Sequence, residues 1–211
     1  MLCFYFWHLR IGVLTRLSKG AFYNCSGLTN ITLPDSVTSI GWGAFNGCSG
    51  LTSVTIGNSV TSIGSFAFSG CSGLTSVTLP NSVTSIGYGA FRSCSGLTSI
   101  TIPDSVTSIG EYAFGYCSGL TSVTIGNSVT SIGDSAFYNC SGLKTVFYKG
   151  SAEQWNKISI DSSYNDNLMS ATRYYYSETE PVLNAEGTAY DGNYWHYDAD
   201  GITPVIWKKE N

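Results

Sequence analysis

A single string of 23 residues is repeated in register along most of this 211-residue chain. The stretch LTSVTIGNSVTSIGSFAFSGCSG, Leu51 to Gly73, is followed at once by LTSVTLPNSVTSIGYGAFRSCSG, Leu74 to Gly96. Five complete units run from Leu28 to Gly142, and a divergent half-unit from Val13 to Cys25 precedes them. Three columns recur at this spacing: Leu28, Leu51, Leu74, Leu97, Leu120 and Leu143; Cys25, Cys48, Cys71, Cys94, Cys117 and Cys140; Phe22, Phe45, Phe68, Phe91, Phe114 and Phe137. Self-similarity at such a period is typical of a solenoid.

Each unit reads as two short strands followed by a turn. In the first quoted unit Val54 and Ile56 alternate with Ser53 and Thr55, which predicts a β-strand with one buried face. The string SVTSIG, which follows a Gly-Asn or Pro-Asn turn, predicts a second extended segment. The Gly-rich end is too short for a full helix and predicts a tight turn or a turn of 3₁₀ helix. The side chains predicted to point inward are Leu51, Val54, Ile56, Val60, Ile63, Ala67, Phe68 and Cys71.

One such unit cannot fold alone. Burial of its apolar side chains stabilises it by roughly 1.5–3 kcal/mol for each large one. Ordering the backbone costs about 1–2 kcal/mol per residue, which outweighs that gain. Stacking adds shared apolar faces and hydrogen bonds between strands about 4.8 Å apart. The sequence therefore predicts a β-rich solenoid of 23-residue coils with parallel strands and short connecting turns or 3₁₀ segments.

The repeated pattern L-x-x-I/V-x-L/I-P/G-x-S-V-T-S-I-G-x-x-A-F-x-x-C-S-G resembles the BspA-like leucine-rich repeat, which is found in many bacterial surface proteins. The resemblance extends from Val13 to about Tyr148. It implies a curved, right-handed solenoid and a role in adhesion or recognition at a cell surface, hence an extracellular or surface-exposed location. It supplies no ligand-binding residue, because the repeat has no shared binding motif that can be placed on this sequence.

The composition changes after the last repeat, which predicts a C-terminal α+β cap. Residues 144–211 hold 16 charged side chains, against five in residues 20–142. The string SAEQ, from Ser151 to Gln154, predicts a capping box and a short helix that holds Trp155. ATRYYYS predicts a strand, PVLNAEGTAYDG a linker, and NYWHYDADGITPVIW an aromatic hairpin. The predicted organisation is an irregular segment 1–12, a solenoid 13–148, a cap 149–180, and a linker with a β-hairpin 181–211.

Six of the seven cysteines share one column, and we expect them to be buried free thiols. Stacking could bring their Cα atoms close enough for disulfide bonds, but their side chains would project in parallel rather than toward each other. Cysteine also packs well as a small apolar residue. Cys3 is the odd one and is expected to be more exposed. The absence of a C-x-x-C motif, with only His8 and His196 available, argues against a zinc site.

Charge and motif content argue against several classes of function. The formal net charge is −4, so the chain lacks the basic patches that nucleic acids require. No segment predicts a membrane span, and the apolar start has its basic residue after the apolar run, unlike a secretory signal. No serine lies in G-x-S-x-G, and Gly41-Trp42-Gly43 lacks the third glycine of a dinucleotide site. The sequence Asp198 to Gly201 begins like a calcium loop but lacks the later ligands. No catalytic, cofactor-binding or metal-binding residue is predicted.

Two sets of side chains are candidates for contact with a ligand. The first consists of small polar residues that point outward from the main strands: Ser53, Thr55, Ser76, Thr78, Ser99 and Thr101, with Asn30, Thr32, Ser122 and Thr124 continuing the rows. Strand propensity and solubility are enough to explain these rows. A remote alternative is that they form a flat array that orders water, as in ice-binding solenoids. The second set consists of aromatic residues beside the Ala-Phe pairs: Trp42, Phe66, Tyr88, Tyr112, Tyr116 and Tyr138. An exposed aromatic file suits contact with a protein or a glycan, although partial burial against the next coil is equally compatible with the pattern.

The aromatic hairpin near the C-terminus supplies a third set of candidates. Trp195, Tyr197 and Trp207 fit either a cover over the last coil or a contact with carbohydrate. The sequence thus predicts a non-enzymatic recognition or adhesion module that binds a protein or glycan ligand. The alternative is a structural spacer whose repeats set length, and the near-identity of the units favours it.

Overall fold

A computed structural model describes residues 14–161 and 163–208 of the chain. The predicted irregular segment 1–12, including Cys3, lies outside the described residues. The described part is a β-solenoid of about eight turns with parallel strands and few helices. The predicted fold class is therefore confirmed. We call each 23-residue unit a coil, number the complete coils 1 to 5 from Leu28, Leu51, Leu74, Leu97 and Leu120, and number positions within a coil from that leucine.

Two files of strands run along the solenoid. The first strands of the coils pair in parallel with their equivalents and form a three-stranded and a six-stranded sheet, the latter ending in one antiparallel pair at its C-terminal edge. These strands are β2 (Asn30–Thr32), β4 (Ser53–Thr55), β6 (Ser76–Val77), β8 (Ser99–Ile102), β10 (Ser122–Ile125), β12 (Thr145–Tyr148), β14 (Thr172–Tyr176), β15 (Tyr194–Tyr197) and β16 (Pro204–Ile206). The second strands form one seven-stranded sheet: β1 (Arg16–Leu17), β3 (Ser39–Ile40), β5 (Ser62–Ile63), β7 (Ser85–Ile86), β9 (Ser108–Ile109), β11 (Ser131–Ile132) and β13 (Ser159–Ile160).

The core repeats with the sequence because equivalent positions lie directly above one another. In β4 and β6, for example, Ser53 aligns with Ser76 and Val54 with Val77. Every side chain predicted to point inward in coil 2 is buried. The phenylalanines of the Ala-Phe pairs form one continuous stack, with neighbouring ring centroids 5.0–5.5 Å apart. The distance from coil to coil at this edge is thus close to the spacing of the strands.

The segment around each Ala-Phe pair is a series of hydrogen-bonded turns, so the turn alternative is observed rather than a 3₁₀ helix. The reason is backbone handedness. Positions 16 and 20 of each coil have positive φ, as at Gly43 (57°) and Gly47 (76°). A left-handed residue every four positions interrupts any right-handed helix. The free amides and carbonyls bond instead to the next coil, as where the Phe45 N–H donates to the Ala67 carbonyl at 2.7 Å.

Five of the six repeat cysteines are buried free thiols, as predicted: Cys48, Cys71, Cys94, Cys117 and Cys140. Each thiol donates to the carbonyl of the phenylalanine 26 residues earlier, at 2.9–3.2 Å. Burial raises the pKa of Cys48 to about 11 and that of Cys71 to about 12. The prediction is wrong at Cys25, which is disulfide-bonded. Cys25 belongs to the divergent half-unit that precedes the five complete coils.

The solenoid continues into the tail. Strands β13 and β14 align with β11 and β12, so residues after Leu143 build one more coil that contains two helices, α1 (Ala152–Trp155) and α2 (Asp166–Ser170). The predicted capping box is confirmed: Ser151 Oγ accepts from the Gln154 N–H, and the Gln154 side chain accepts from the Ser151 N–H. The predicted hairpin is confirmed as the antiparallel pair β15 and β16, and β15 extends the solenoid sheet beside β14.

A buried asparagine closes the turn edge of the solenoid. The Asn165 side chain accepts from the Phe137 N–H at 3.0 Å, which in earlier coils bonds to the alanine carbonyl of the next coil. Its amide nitrogen donates to the carbonyls of Gly133 and Asp161. Asn165 is fully buried. One side chain therefore replaces the missing next repeat.

Candidate functional site

Most of the variation between the coils falls at four positions. Across coils 1 to 5, positions 15, 16, 19 and 20 each carry four or five residue types, whereas every other position carries at most two. We call these side chains the variable strip. In coil order they are Trp42, Gly43, Asn46 and Gly47; Ser65, Phe66, Ser69 and Gly70; Tyr88, Gly89, Arg92 and Ser93; Glu111, Tyr112, Gly115 and Tyr116; Asp134, Ser135, Tyr138 and Asn139. Two adjacent positions, 17 and 18, are always Ala and Phe.

The variable strip lies along one edge of the solenoid because coils stack in register. Positions 17, 18 and 21 of the same turn point inward and hold the buried Ala, Phe and Cys. Positions 15, 16, 19 and 20 flank them, and side chains such as Trp42, Tyr88 and Tyr116 are exposed. The turn thus presents an invariant inner face to the core and a variable outer face that is exposed or half-buried at most positions; the buried members of the strip are Gly43, Ser69, Gly89, Gly115 and Ser135.

Aromatic rings form a continuous file along this strip. Trp42 contacts Phe66 (centroids 6.1 Å apart), Phe66 contacts Tyr88 (4.9 Å), and Tyr88 contacts Tyr112 (5.9 Å). Tyr138 then lies 6.3 Å from Tyr112 and 5.2 Å from Tyr116. Most of these pairs meet edge to face, the geometry that ring quadrupoles favour. The structure therefore brings together all six aromatic residues that the sequence singled out.

The same file keeps half of its rings open to solvent. Trp42 is 43% exposed and Tyr88 is 39% exposed, whereas Phe66, Tyr112 and Tyr138 are half-buried against their neighbours. Partial burial and exposure, which the pattern allowed as alternatives, therefore alternate along the file. A row of this kind holds its rings rigidly while leaving large apolar faces accessible.

Three aromatic residues of the strip occupy left-handed backbone. Phe66 and Tyr112 at position 16 have φ of 56° and 52°, and Tyr116 at position 20 has 64°. Bulky residues are rare in this conformation, which costs roughly 1–2 kcal/mol for a residue with a Cβ. Coils 1 and 3 have glycine at position 16, Gly43 and Gly89, with an aromatic residue just before it. The aromatic file is thus maintained in coils 2 and 4 at a conformational cost that glycine would avoid.

Sequence reasoning missed several members of this surface. Tyr164 has a φ of 56°, is 60% exposed and packs 5.5 Å from Tyr138, so it extends the file by one coil. Lys19 lies 4.7 Å from the Trp42 ring and Arg92 lies 5.0 Å from the Tyr116 ring. The column-by-column variation would have identified Arg92, but no repeat pattern marks Tyr164, since its coil contains helices α1 and α2.

The outward rows of serine and threonine are exposed in coils 2 to 4, at Ser53, Thr55, Ser76, Thr78, Ser99 and Thr101. The rows do not continue unbroken, and the expectation that Thr124 points to solvent is wrong. Thr124 is buried because its partner in β12 is Phe147, which packs against Trp195 and Tyr174. The aromatic C-terminal hairpin therefore covers one end of this face.

The hairpin candidates separate by burial. Trp195 is fully buried, with its indole N–H donating to the Tyr148 carbonyl at 2.9 Å, so the prediction that it contacts a ligand is wrong. Tyr197 is half-buried against Trp195 and Tyr176. Trp207 is half-buried against His196, and its indole N–H donates to the Ser177 carbonyl. This geometry fits a structural cover over the last coils.

Residues 14–161 and 163–208 contain no group of three or more His, Cys, Asp or Glu side chains able to hold a metal ion. The raised thiol pKa values of the described free cysteines mark them as unreactive structural residues rather than nucleophiles. Neither helix in the described part of the chain is long or apolar enough to cross a membrane. The variable strip is therefore the surface with the strongest features of a binding site.

A family model described as "BspA type Leucine rich repeat region" matches residues 15–144 in six copies. No curated protein matches the chain. A leucine-rich cell surface protein from Faecalibacterium prausnitzii is similar, with 39% identity and a TM-score of 0.62 over 64% of this chain and 36% of that one. A leucine-rich repeat protein from T. pallidum shows 36% identity and a TM-score of 0.55 over 56% of this chain and 57% of that one.

A more distant structure, the pneumococcal vaccine antigen PcpA, shares the fold, with 24% identity and a TM-score of 0.57 over 72% of this chain and 37% of that one. The chain spans between about one third and three fifths of the length of these three solved structures. Its relatives are bacterial repeat proteins, and the repeat itself accounts for the fold described above. With six copies of that repeat over more than half of its length, the chain belongs to the BspA-type leucine-rich repeat family.

Proposed function

We propose that this protein is a non-enzymatic recognition module, displayed outside or on the surface of a bacterial cell, which binds a protein or glycan ligand through the variable strip. The observation that carries the proposal is the concentration of variation in the strip. A chain that repeats itself almost letter for letter carries four or five residue types only at four positions, which lie along one edge and are mostly exposed or half-buried. A surface with a different side chain at each level offers the specificity that a uniform surface lacks.

The composition of the strip supports the same function. Tyr, Ser, Gly and Asn make up most of its side chains, with Trp42 and Arg92 added. Tyrosine and tryptophan give large contact areas at low entropic cost, and small polar residues adapt their hydrogen bonds to the ligand, which is why binding loops favour this mixture. The strained backbone at Phe66 and Tyr112 supports the same function, because backbone strain that persists in a native structure clusters at functional sites.

The competing function is a spacer in which the repeats only set length. The nearly identical inner positions favour it, but they are equally required by a stacked core. A spacer needs solubility at its surface and gives no reason to place aromatic residues in left-handed backbone. The relative from Faecalibacterium prausnitzii, described as a cell surface protein, supports the proposed location.

The test is a screen of the full chain on glycan and protein arrays, with two triple variants. Trp42→Ala, Tyr88→Ala and Tyr116→Ala together remove exposed rings of the strip, and we expect them to abolish binding. Thr55→Ala, Thr78→Ala and Thr101→Ala, a matched set on the outward strand face, should leave binding within about twofold, a free-energy change of less than about 0.5 kcal/mol. Circular dichroism confirms that both variants fold. Binding that survives in the strip variant and disappears in the strand-face variant would contradict the proposal.

A further inference from the structure

The spacing of the aromatic file carries information about the ligand. The coil-to-coil distance next to the strip is given by the phenylalanine stack, 5.0 Å from Phe45 to Phe68 and 5.2 Å from Phe68 to Phe91. Trp42 and Tyr88 occupy the same position, 15, in coils 1 and 3, each before a glycine of positive φ. Their side chains therefore leave equivalent backbones two coils apart, about 10 Å along the solenoid.

A second series of rings has the same period and is displaced by one coil. Phe66, Tyr112 and Tyr164 lie in the coils between and beyond Trp42 and Tyr88, and all three have φ of 52–56°. The rings of the two series meet edge to face, as between Trp42 and Phe66. The strip thus presents two interleaved rows, each with a repeat of two coils.

This pattern fits one class of linear polymer. In an extended β-1,4-linked glycan, successive sugars are turned over relative to each other, so the same sugar face returns once per disaccharide, about 10 Å along the chain, twice the spacing of stacked strands. The C–H bonds on a pyranose face carry slight positive charge and stack on the negative face of an aromatic ring. Small polar side chains beside the rings, such as Asn46 and Ser93, can bond to sugar hydroxyls.

The charge of the strip indicates a neutral ligand. The positive charges of Arg92 and of Lys19, which lies beside Trp42, are balanced by the negative charges of Glu111 and Asp134. Recognition of a polyanion such as a sulfated glycan needs clustered positive charge, which focuses the field along a surface. A strip with equal numbers of both signs in these coils offers no such field.

From this spacing, phase and charge, the geometry points to a neutral, linear β-1,4-linked glycan that lies along the variable strip, parallel to the solenoid axis. The inference rests on the proposed recognition function and assigns the chemical class of its ligand. Each disaccharide advances the glycan by two coils, so the rings of one row contact equivalent sugar faces.

The inference is tested by calorimetric titration of the intact protein with three named probes. Cellohexaose and chitohexaose have the β-1,4 linkage, and laminarihexaose has β-1,3 links that impose a different repeat. We expect the β-1,4 hexaoses to bind at least about tenfold more tightly than laminarihexaose and than their own disaccharides, since a disaccharide cannot contact two rings of one row. Trp42→Ala or Tyr88→Ala should weaken hexaose binding by about tenfold, the loss of one stacked ring.

The control is Thr78→Ala on the outward strand face, which should leave hexaose affinity unchanged. Equal affinity for the β-1,3 hexaose, or hexaose binding that is insensitive to the ring substitutions, would overturn the inference. Absence of hexaose binding together with a protein ligand whose array signal requires Trp42, Tyr88 and Tyr116 would overturn the glycan assignment and leave the recognition function intact. Array binding that ignores those three residues would contradict the recognition function itself.

Discussion

Two adjacent pairs of residues in the same turn differ in how much they vary from coil to coil. Ala90 and Phe91 recur as Ala-Phe in every coil and are fully buried, whereas Tyr88 and Gly89 just before them are replaced in most coils. The inner pair must stack on identical partners above and below, so any change leaves a void or a clash. In the outer pair Tyr88 is exposed, and Gly89 is restricted mainly by its positive φ of 56°. The comparison separates a scaffold from a surface within one turn.

The largest effect is expected from truncation of an inner ring. Phe91 is sandwiched between Phe68 and Phe114 in the stack. Phe91→Ala should lower the free energy of unfolding by about 3–5 kcal/mol, because it leaves a cavity in a close-packed core. Tyr88→Ala, three residues earlier on the outer face, should cost less than about 1 kcal/mol. Similar losses for the two variants in urea titrations would show that the distinction between inner and outer faces is wrong.

The end of the scaffold should be nearly as sensitive. Asn165→Ala removes the acceptor for the Phe137 N–H and the donors to Gly133 and Asp161. Leaving these buried groups unpaired should cost about 2–4 kcal/mol. Asn167→Ala, in helix α2, is the matched control and should cost less than about 1 kcal/mol. An Asn165 variant as stable as its control would mean that the last coil needs no side-chain cap.

The buried thiols predict a dependence of stability on alkaline pH. Burial raises the pKa of Cys71 and of Cys140 to about 12 from an ordinary value of 9.0. The folded state therefore favours the protonated thiol. That stabilisation is complete below pH 9 and is lost as the pH rises toward 12. Between these limits each thiol should lower stability by about 1.4 kcal/mol per pH unit.

Chemical denaturation at several pH values under argon measures this slope. Cys140→Ala should reduce the slope by about 1.4 kcal/mol per pH unit, whatever its effect on stability at pH 7. The tyrosines and lysines titrate alike in both proteins and cancel in the difference. A variant with the wild-type slope would mean that the Cys140 thiol ionises as easily in the folded state as in the unfolded one.

The smallest expected effect is the stability difference between glycine and alanine variants on the outer face, which measures backbone strain. Phe66 has a φ of 56°, so Phe66→Gly should be more stable than Phe66→Ala by about 1 kcal/mol, since only alanine retains the left-handed penalty. At Tyr88, which has no positive φ, the order should reverse, because glycine is the more flexible residue in the unfolded chain. Thermal unfolding of the four variants gives both differences. If the glycine and alanine variants had the same order of stability at both sites, the backbone at Phe66 would not be strained.

Much of the scaffold could be predicted from the sequence because each column of the repeat has one environment. Period and alternation were enough to place the strands, the inward side chains, the free thiols of coils 1 to 5 and the hairpin. The errors lie where an environment is not repeated. Thr124 is buried by Phe147 of a divergent coil, and Trp195 by packing between distant segments. Cys25, in the divergent half-unit, is disulfide-bonded.

The surface was predicted less completely, for two physical reasons. A positive φ at positions 16 and 20 cannot be predicted from the sequence where the residue is aromatic, because only glycine favours that conformation. The strain at Phe66 and Tyr112 is therefore seen only in the structure. Tyr164 joins the file although its coil is lengthened by α1 and α2, which displaces it from the 23-residue register. The six aromatic candidates were identified from their place beside Ala-Phe, and their arrangement in one file follows from the stacking.

The central claim is that inner positions determine stability and the variable strip determines recognition. The direct measurement is a transplant of the coil 4 strip into coil 2, by Ser65→Glu, Phe66→Tyr, Ser69→Gly and Gly70→Tyr, which keeps an aromatic residue at position 16 and every inner residue unchanged. The free energy of unfolding should fall by only about 1–2 kcal/mol, the left-handed penalty that Gly70→Tyr introduces, while the profile of ligands bound on glycan and protein arrays changes. An unchanged profile in a folded variant would contradict the claim and favour a spacer.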